Sequence, residues 1–278
     1  MSLPIDDPAD ERVADFVRLN DPQARRRLEG TVGGGYFIAE GPAVVRPLLR
    51  SPYRLRSVLV TDRGLRALEP DLAAVGAPVY RVTQAVMDAI CGFHFHRGAL
   101  AAADRRPLPS LAEVTGEART LVLVEGVSDN ENLGSIFRNA AAFGVDGVVL
   151  DPTAADPLYR RTVRVSMGHV LRVPFTRVGD WPAALAWLRE TGVELLALTP
   201  AGDAEDVRAV ERRDRRALLV GSEGAGLSPT ALAAADRRVR VAMAPGVDSL
   251  NVATAAAIVL HQMAGPESPH RDGPYTPP

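Results

Sequence analysis

The sequence predicts an α/β protein with two α/β domains in series, the second built on a parallel sheet covered on both faces. Three observations carry this. Between Thr120 and Met263, short runs that are apolar almost throughout alternate with helical segments, the pattern of strands buried on both sides. Between Tyr36 and Ala102 a β-α-β-α order recurs on a smaller scale. Between these stretches, Asp104-Arg105-Arg106-Pro107-Leu108-Pro109-Ser110 interrupts with two prolines and a charge cluster. The expected layout is an N-terminal extension and domain over residues 1–104, a linker over 105–118 and a second domain over 119–265. The Pro-rich, polar tail 266–278 is expected to be disordered.

The elements follow in order. Asp21-Pro22-Gln23-Ala24 opens a helix with Pro at its first position, and Gly33-Gly34-Gly35 then interrupts. Tyr36–Ala39 suits a buried strand, followed by a helix from Pro42 to about Arg50. Ser57–Thr61 is a second strand, Arg63–Glu69 a helix and Pro78–Val82 a third strand. Thr83 caps a helix to Ile90, and Ala99–Ala102 closes the first sheet. In the second domain, strands are expected at Thr120–Val124, Gly147–Leu150, Val193–Leu198, Ala217–Val220 and Val239–Met243. Helices are expected at Leu133–Phe143, Trp181–Glu190 and Leu250–Met263.

Composition narrows the function class. The 278 residues suffice for two cores, and 46% are hydrophobic. Lysine is absent, so all 32 basic residues are arginine. The formal net charge of −2 lacks the overall basic excess of many nucleic-acid binders. The charge is uneven, however: from Arg12 to Arg66, eleven arginines face five acids, so the first domain can carry a local basic face. The one cysteine, Cys91, stands in an apolar stretch and reads as a buried thiol. The start, Met1-Ser2-Leu3-Pro4-Ile5-Asp6-Asp7-Pro8, has neither the basic lead nor the apolar core of a signal peptide. With no apolar run as long as a membrane span, the expected location is cytoplasmic. His94 and His96 flank Phe95 without acids or cysteines at ligand spacing, so no metal site is expected.

Ligands of parallel α/β sheets bind beyond the carboxyl ends of the strands. Three such ends here carry polar chemistry. After Val124 comes an Asp/Asn/Ser-rich loop leading into a helix that holds Asn132, Ser135 and, on an otherwise apolar turn, Arg138. After Val220 comes Gly221-Ser222-Glu223-Gly224-Ala225-Gly226-Leu227, whose glycines permit positive φ and close backbone approach. Its spacing is not the dinucleotide fingerprint. The segment Met243–Val252 ends in Ser249, a natural N-cap for the last helix, and in Asn251, set against an Ala-rich run. A Rossmann-type nucleotide site wants a glycine-rich turn after the first strand, and Glu125-Gly126-Val127-Ser128-Asp129-Asn130 has too few glycines.

Asn132-Leu133-Gly134-Ser135-Ile136-Phe137-Arg138-Asn139-Ala140, Gly221 through Leu227, and Met243 through Val252 resemble, in order and spacing, the three signature motifs of the SpoU (TrmH-like) family of RNA ribose methyltransferases. More weakly, Gly35 to Gly41 resembles the entry to that family's N-terminal substrate-binding domain. The chain departs from the family at Asp129-Asn130, where many members have Asp-Pro, and at Val241-Ala242-Met243, where many have Ile-Pro-Met. The segment Cys91–Arg97 departs as well.

The resemblance implies a trefoil-knotted catalytic domain of the SPOUT type that works as a homodimer. It implies S-adenosylmethionine as cofactor, held by Thr199, Pro200, Gly221, Ser222, Glu223, Val241, Met243, Ser249 and Leu250. Asn132, Arg138, Glu223, Ser249 and Asn251 would be catalytic, with Glu223 pairing with Arg138 or accepting a proton. RNA would meet Arg138 and the run Arg25-Arg26-Arg27. The implied reaction is 2′-O-methylation of structured RNA, with 23S ribosomal RNA ahead of tRNA. The alternative is an RNA-binding protein of the same fold without catalysis.

Overall fold

A computed structural model describes residues 2–21, 35–211 and 213–264. The expected helix from Asp21, the arginines Arg25, Arg26 and Arg27, and the 266–278 tail lie outside the described residues apart from Asp21 itself. The chain divides into two compact units, residues 1–107 with 158–172, and residues 108–157 with 173–278.

The first unit holds a five-stranded sheet in the order β1-β4-β3-β5-β2: β1 (Leu3–Pro4), β2 (Tyr36–Glu40), β3 (Leu55–Val60), β4 (Val79–Arg81) and β5 (Ala99–Asp104). β5 does not close the sheet at an edge. It lies between β3 and β2 and runs antiparallel to both. Its run Ala99-Leu100-Ala101-Ala102-Ala103 is fully buried, because small side chains let elements pack on both faces. Helices α1 (Pro42–Leu49), α2 (Asp62–Leu72) and α3 (Gln84–Cys91) start where local chemistry dictates. Thr61 and Thr83 cap α2 and α3 by accepting from Gly64 N and Val86 N. Gly92 ends α3 at φ +77°, the left-handed position that favours glycine. Gly64 admits no side chain, since a Cβ there would lie 1.9 Å from the Gly98 carbonyl oxygen. The polar N-terminal stretch also contributes to the core, through buried Ile5, Val13, Phe16 and Leu19.

The second unit is a seven-stranded sheet in the order β10-β12-β9-β11-β6-β7-β8, parallel at every pairing. Its strands are β6 (Thr120–Val124), β7 (Gly147–Leu150), β8 (Phe175–Arg177), β9 (Glu194–Leu198), β10 (Glu205–Asp206), β11 (Arg216–Val220) and β12 (Arg237–Arg240). Chain order reverses beside β6: β7 and β8 extend one way, β11 and β9 the other. β12 begins two residues earlier than the apolar pattern suggested. Its leading arginines are tolerated because Arg237 forms a bidentate pair with Glu205 of neighbouring β10. The segment read as linker contains α4 (Leu111–Thr115), started by a reciprocal Ser110–Glu113 capping box. Helices α5 (Asn130–Ala142), α7 (Trp181–Glu190), α8 (Pro229–Ala234) and α9 (Val252–Ala264) cover the sheet. α9 packs on α5, joined by the Asn139 amide donating to the Ala253 carbonyl at 2.8 Å.

Between β7 and β8 the chain leaves its own unit. Residues 158–172 carry α6 (Arg160–Val165) and belong to the first unit, where Val163, Val170 and Leu171 are buried. Nothing in their amphipathic pattern separates them from a covering helix of the second sheet, so the sequence assigned them there.

Candidate active site

Parallel neighbours β12, β9, β11 and β6 deliver the loops that follow them to one end of the sheet. All three motifs therefore emerge at that end. The loop after β6 begins with Glu125, whose carboxylate accepts from Ser228 N at 2.8 Å and Ser228 Oγ at 2.7 Å. This ties the first loop to the end of the glycine-rich one. Sequence reasoning passed over Glu125, although an acid directly at a strand end was a readable signal. Asp129 then caps α5, accepting from Glu131 N and Asn132 N at 2.9 and 2.8 Å. Asn130 takes the first helical position, where many relatives of the resembled family have proline.

The glycine-rich loop is a tight turn. Ser222 and Gly226 exchange backbone hydrogen bonds, and Gly224 and Gly226 sit at φ +87° and +70°. At Gly221 a Cβ would lie 2.3 Å from the Gly226 carbonyl carbon, so only glycine fits. At Gly224 and Gly226, in contrast, the Cβ direction meets open space, as it does at Gly202 and Gly246 of the flanking loops. The glycine-rich loop thus leaves its backbone bare of side chains at Gly224 and Gly226.

Three side chains from three motifs meet there. The Asn132 Nδ2 amide donates to Glu223 Oε1 at 2.7 Å. The Asn251 Nδ2 amide donates to Asn132 Oδ1 at 2.7 Å and to Glu223 Oε1 at 3.2 Å. Asn132 is buried, and this network satisfies its amide on both sides. Asn251 also starts the last helix: its Oδ1 accepts from Ala253 N and Thr254 N. The N-cap expected of Ser249 is therefore Asn251's, because the helix begins only at Val252 and Ser249 lies too far back. Arg216 supports the other end of that helix by donating to the Met263 carbonyl.

Arg138 stands apart. It is exposed and, among the described residues, has no hydrogen-bond or ion-pair partner. The pairing expected with Glu223 is not made. Six residues, about one and two-thirds turns, turn Arg138 away from the face that carries Asn132, and two amides already occupy Glu223 Oε1. Thr199 is half-buried at the end of β9, its N–H donating to the Val239 carbonyl, and Pro200 is exposed beside it. Val241 and Met243 are half-buried, whereas Ser249 and Leu250 are exposed. Among the described residues, no group of three or more His, Cys, Asp or Glu comes together as a metal site. Nor is any helix there long and apolar enough to cross a membrane.

The amide–carboxylate cluster thus lies beside glycine-rich turns at the carboxyl end of a parallel sheet. Residues 119–261, which take in all three loops, match the SpoU rRNA Methylase family; the chain belongs to that family and is an RNA methyltransferase. Over 274 residues, 97% of this chain and 93% of the other, it is 51% identical to an uncharacterized tRNA/rRNA methyltransferase of Mycobacterium tuberculosis. It is 28% identical to the Bacillus subtilis 23S rRNA (guanosine(2553)-2′-O)-methyltransferase RlmP, over 94% of this chain and 99% of that one. The AdoMet-bound rRNA methyltransferase of Sinorhizobium meliloti superposes with a TM-score of 0.78 at 27% identity, over 94% of this chain and 97% of that one.

Proposed function

We propose that this chain methylates a ribose 2′-hydroxyl of structured RNA, with 23S ribosomal RNA as the substrate. The observation that carries the reading is the Asn132–Glu223–Asn251 cluster, which joins residues 91 and 28 positions apart at the loop end of the sheet. S-adenosylmethionine is the methyl donor. Its sulfonium supplies a methyl group already activated for displacement. The loops that would hold it are Thr199–Gly202, Gly221–Gly224 and Val241–Asn251, and we read them as the knotted part of the domain.

The remaining work falls to side chains: holding the 2′-oxygen in line and removing its proton. A guanidinium stays protonated in proteins, so Arg138 is not the base. It acts as a fork for the RNA phosphate and lowers the energy of the developing 2′-oxyanion. Asn132 and Asn251 fix the Glu223 carboxylate through Oε1, and Oε2 takes the proton. Ser249 orients the ribose. The exposed Val247, Leu250 and Ile258 lie on the same loop and helix as Ser249 and Asn251, which favours a homodimer through the catalytic unit. Ribosomal RNA as substrate puts the site of action in the cytoplasm.

The test is incubation with labelled S-adenosylmethionine and, separately, unmodified ribosomal RNA, tRNA and precursor ribosomal particles, followed by digestion to nucleosides. A labelled 2′-O-methylnucleoside from ribosomal RNA or its particles is expected. Label confined to tRNA would move the substrate, and label on a base would overturn the ribose assignment.

A further inference from the structure

The first unit contains a cationic cleft built around one carboxylate. Glu40 ends β2 at 3% exposure. Arg160 donates to its Oε1, Arg164 donates to its Oε2 at 3.2 Å, and Arg97 Nε lies 4.0 Å away. The cleft encloses about 370 Å³ between the loop Phe93–Arg97 and the segment Tyr159–Arg164. Among its lining residues Glu40 is the one carboxylate, against four arginines, Arg97, Arg160, Arg161 and Arg164. Arg160 is nearly buried, engaged by Glu40, by the Asn20 side-chain oxygen and by the Phe93 ring 5.6 Å from its centroid. Arg97 and Arg164 keep 43% and 30% of their side-chain surface open, so they face whatever enters. His94 and His96 are exposed beside them, their rings 6.4 Å apart and tilted by 36°, with His94 Nδ1 held to Asp88 at 2.7 Å.

A second, wider groove of the same unit provides a contrast. There Arg56 sits on Asp15 and Asp104, Arg54 on Asp104, and Arg12 on Asp10, which leaves no cationic excess.

We propose that the Glu40 cleft holds an unpaired stretch of the substrate RNA, with phosphates on Arg97 and Arg164 and bases against the His94 and His96 rings. This rests on the RNA methyltransferase reading above. Guanidinium forks match phosphate oxygens, and flat exposed rings accept any unstacked base but not one locked in a duplex. Buried Glu40 holds the forks in place before RNA arrives, which lowers the ordering cost of binding.

Fluorescence anisotropy on the full chain tests this, using a labelled mixed-sequence single-stranded oligoribonucleotide and its duplex over a range of salt. The double variant Arg97→Ala/Arg164→Ala is expected to weaken single-strand binding about tenfold and to reduce the salt slope by about two. Arg97→Ala alone leaves both close Glu40 pairs in place and keeps the test valid where the double variant misfolds; it is expected to lose about threefold and about one unit of slope. Arg54→Ala, in the balanced groove, is expected to bind as wild type. Wild-type affinity and slope in both cleft variants, or an equal loss on duplex and single strand, overturns the proposal. The labelled-methyl assay is run on the wild type alongside. Methyl transfer with unaltered variant binding sinks the cleft alone, whereas no label in any RNA or particle sinks the RNA reading and the cleft with it.

Discussion

The Asn132–Glu223–Asn251 cluster and the arginine cleft use polar side chains in opposite ways. In the cluster a single carboxylate, Glu223, is held by two neutral amides, and the cation of the motif set, Arg138, is left open. In the cleft a single carboxylate, Glu40, is buried beneath guanidiniums, two of which remain partly open. The two amides orient the Glu223 carboxylate without pairing it to a cation. Guanidiniums neutralise Glu40, which then serves as an anchor for arginines.

Removing either cation tests this contrast. Arg138→Ala is expected to abolish measurable methylation, a loss of about a hundredfold to a thousandfold, because one charge donor at a transition state is worth roughly that much. Calorimetry with S-adenosylmethionine should show binding unchanged, and retained turnover would rule out the assignment. Glu223→Gln keeps the Oε1 acceptor for both amides but not the carboxylate; a loss of about a hundredfold or more in kcat, with substrate KM little altered, is expected of a missing base. A change confined to KM would make Glu223 a positioning group only. In the cleft, Arg160→Ala strips the closest partner from a buried carboxylate and is expected to destabilise the fold by about 2 kcal/mol in urea unfolding, Arg164 compensating in part.

Smaller effects sharpen the comparison. Asn251→Ala removes both a helix cap and a cluster donor, at about 1 kcal/mol, whereas Asn251→Asp keeps the cap and places a second negative charge beside Glu223. Asp is therefore expected to restore much of the melting temperature but not the turnover; equal thermal losses would show that the cap contributes little. Burial pushes the Cys91 thiol up to about 12, so at pH 8 the folded protein should resist alkylation that unfolded protein undergoes readily. Rapid labelling of the folded chain would contradict that burial.

The two sites also differ in how far the sequence discloses them. Asn132 was readable as a polar residue after an apolar strand end and Asn251 as one just inside an apolar helix, whereas Glu223 stood out only through the resemblance of its loop to the family's second motif. What was not readable is which atoms meet: Asn251 takes the cap from Ser249, and Glu223 takes the amides instead of Arg138. β12 was displaced because pairing with Glu205 allows Arg237 inside a strand, which a hydrophobic pattern cannot register. The cleft was invisible, since Glu40 and Arg160 stand 120 positions apart and each alone looks like a solvated charge.

Residues 158–172, emerging from between β7 and β8, complete the first unit rather than the second. During synthesis, the N-terminal 107 residues therefore leave the ribosome unfinished, with Glu40 lacking Arg160 and Arg164 and a groove awaiting Val163, Val170 and Leu171. The residues that cover that part of the first unit are thus made only after β6 and β7.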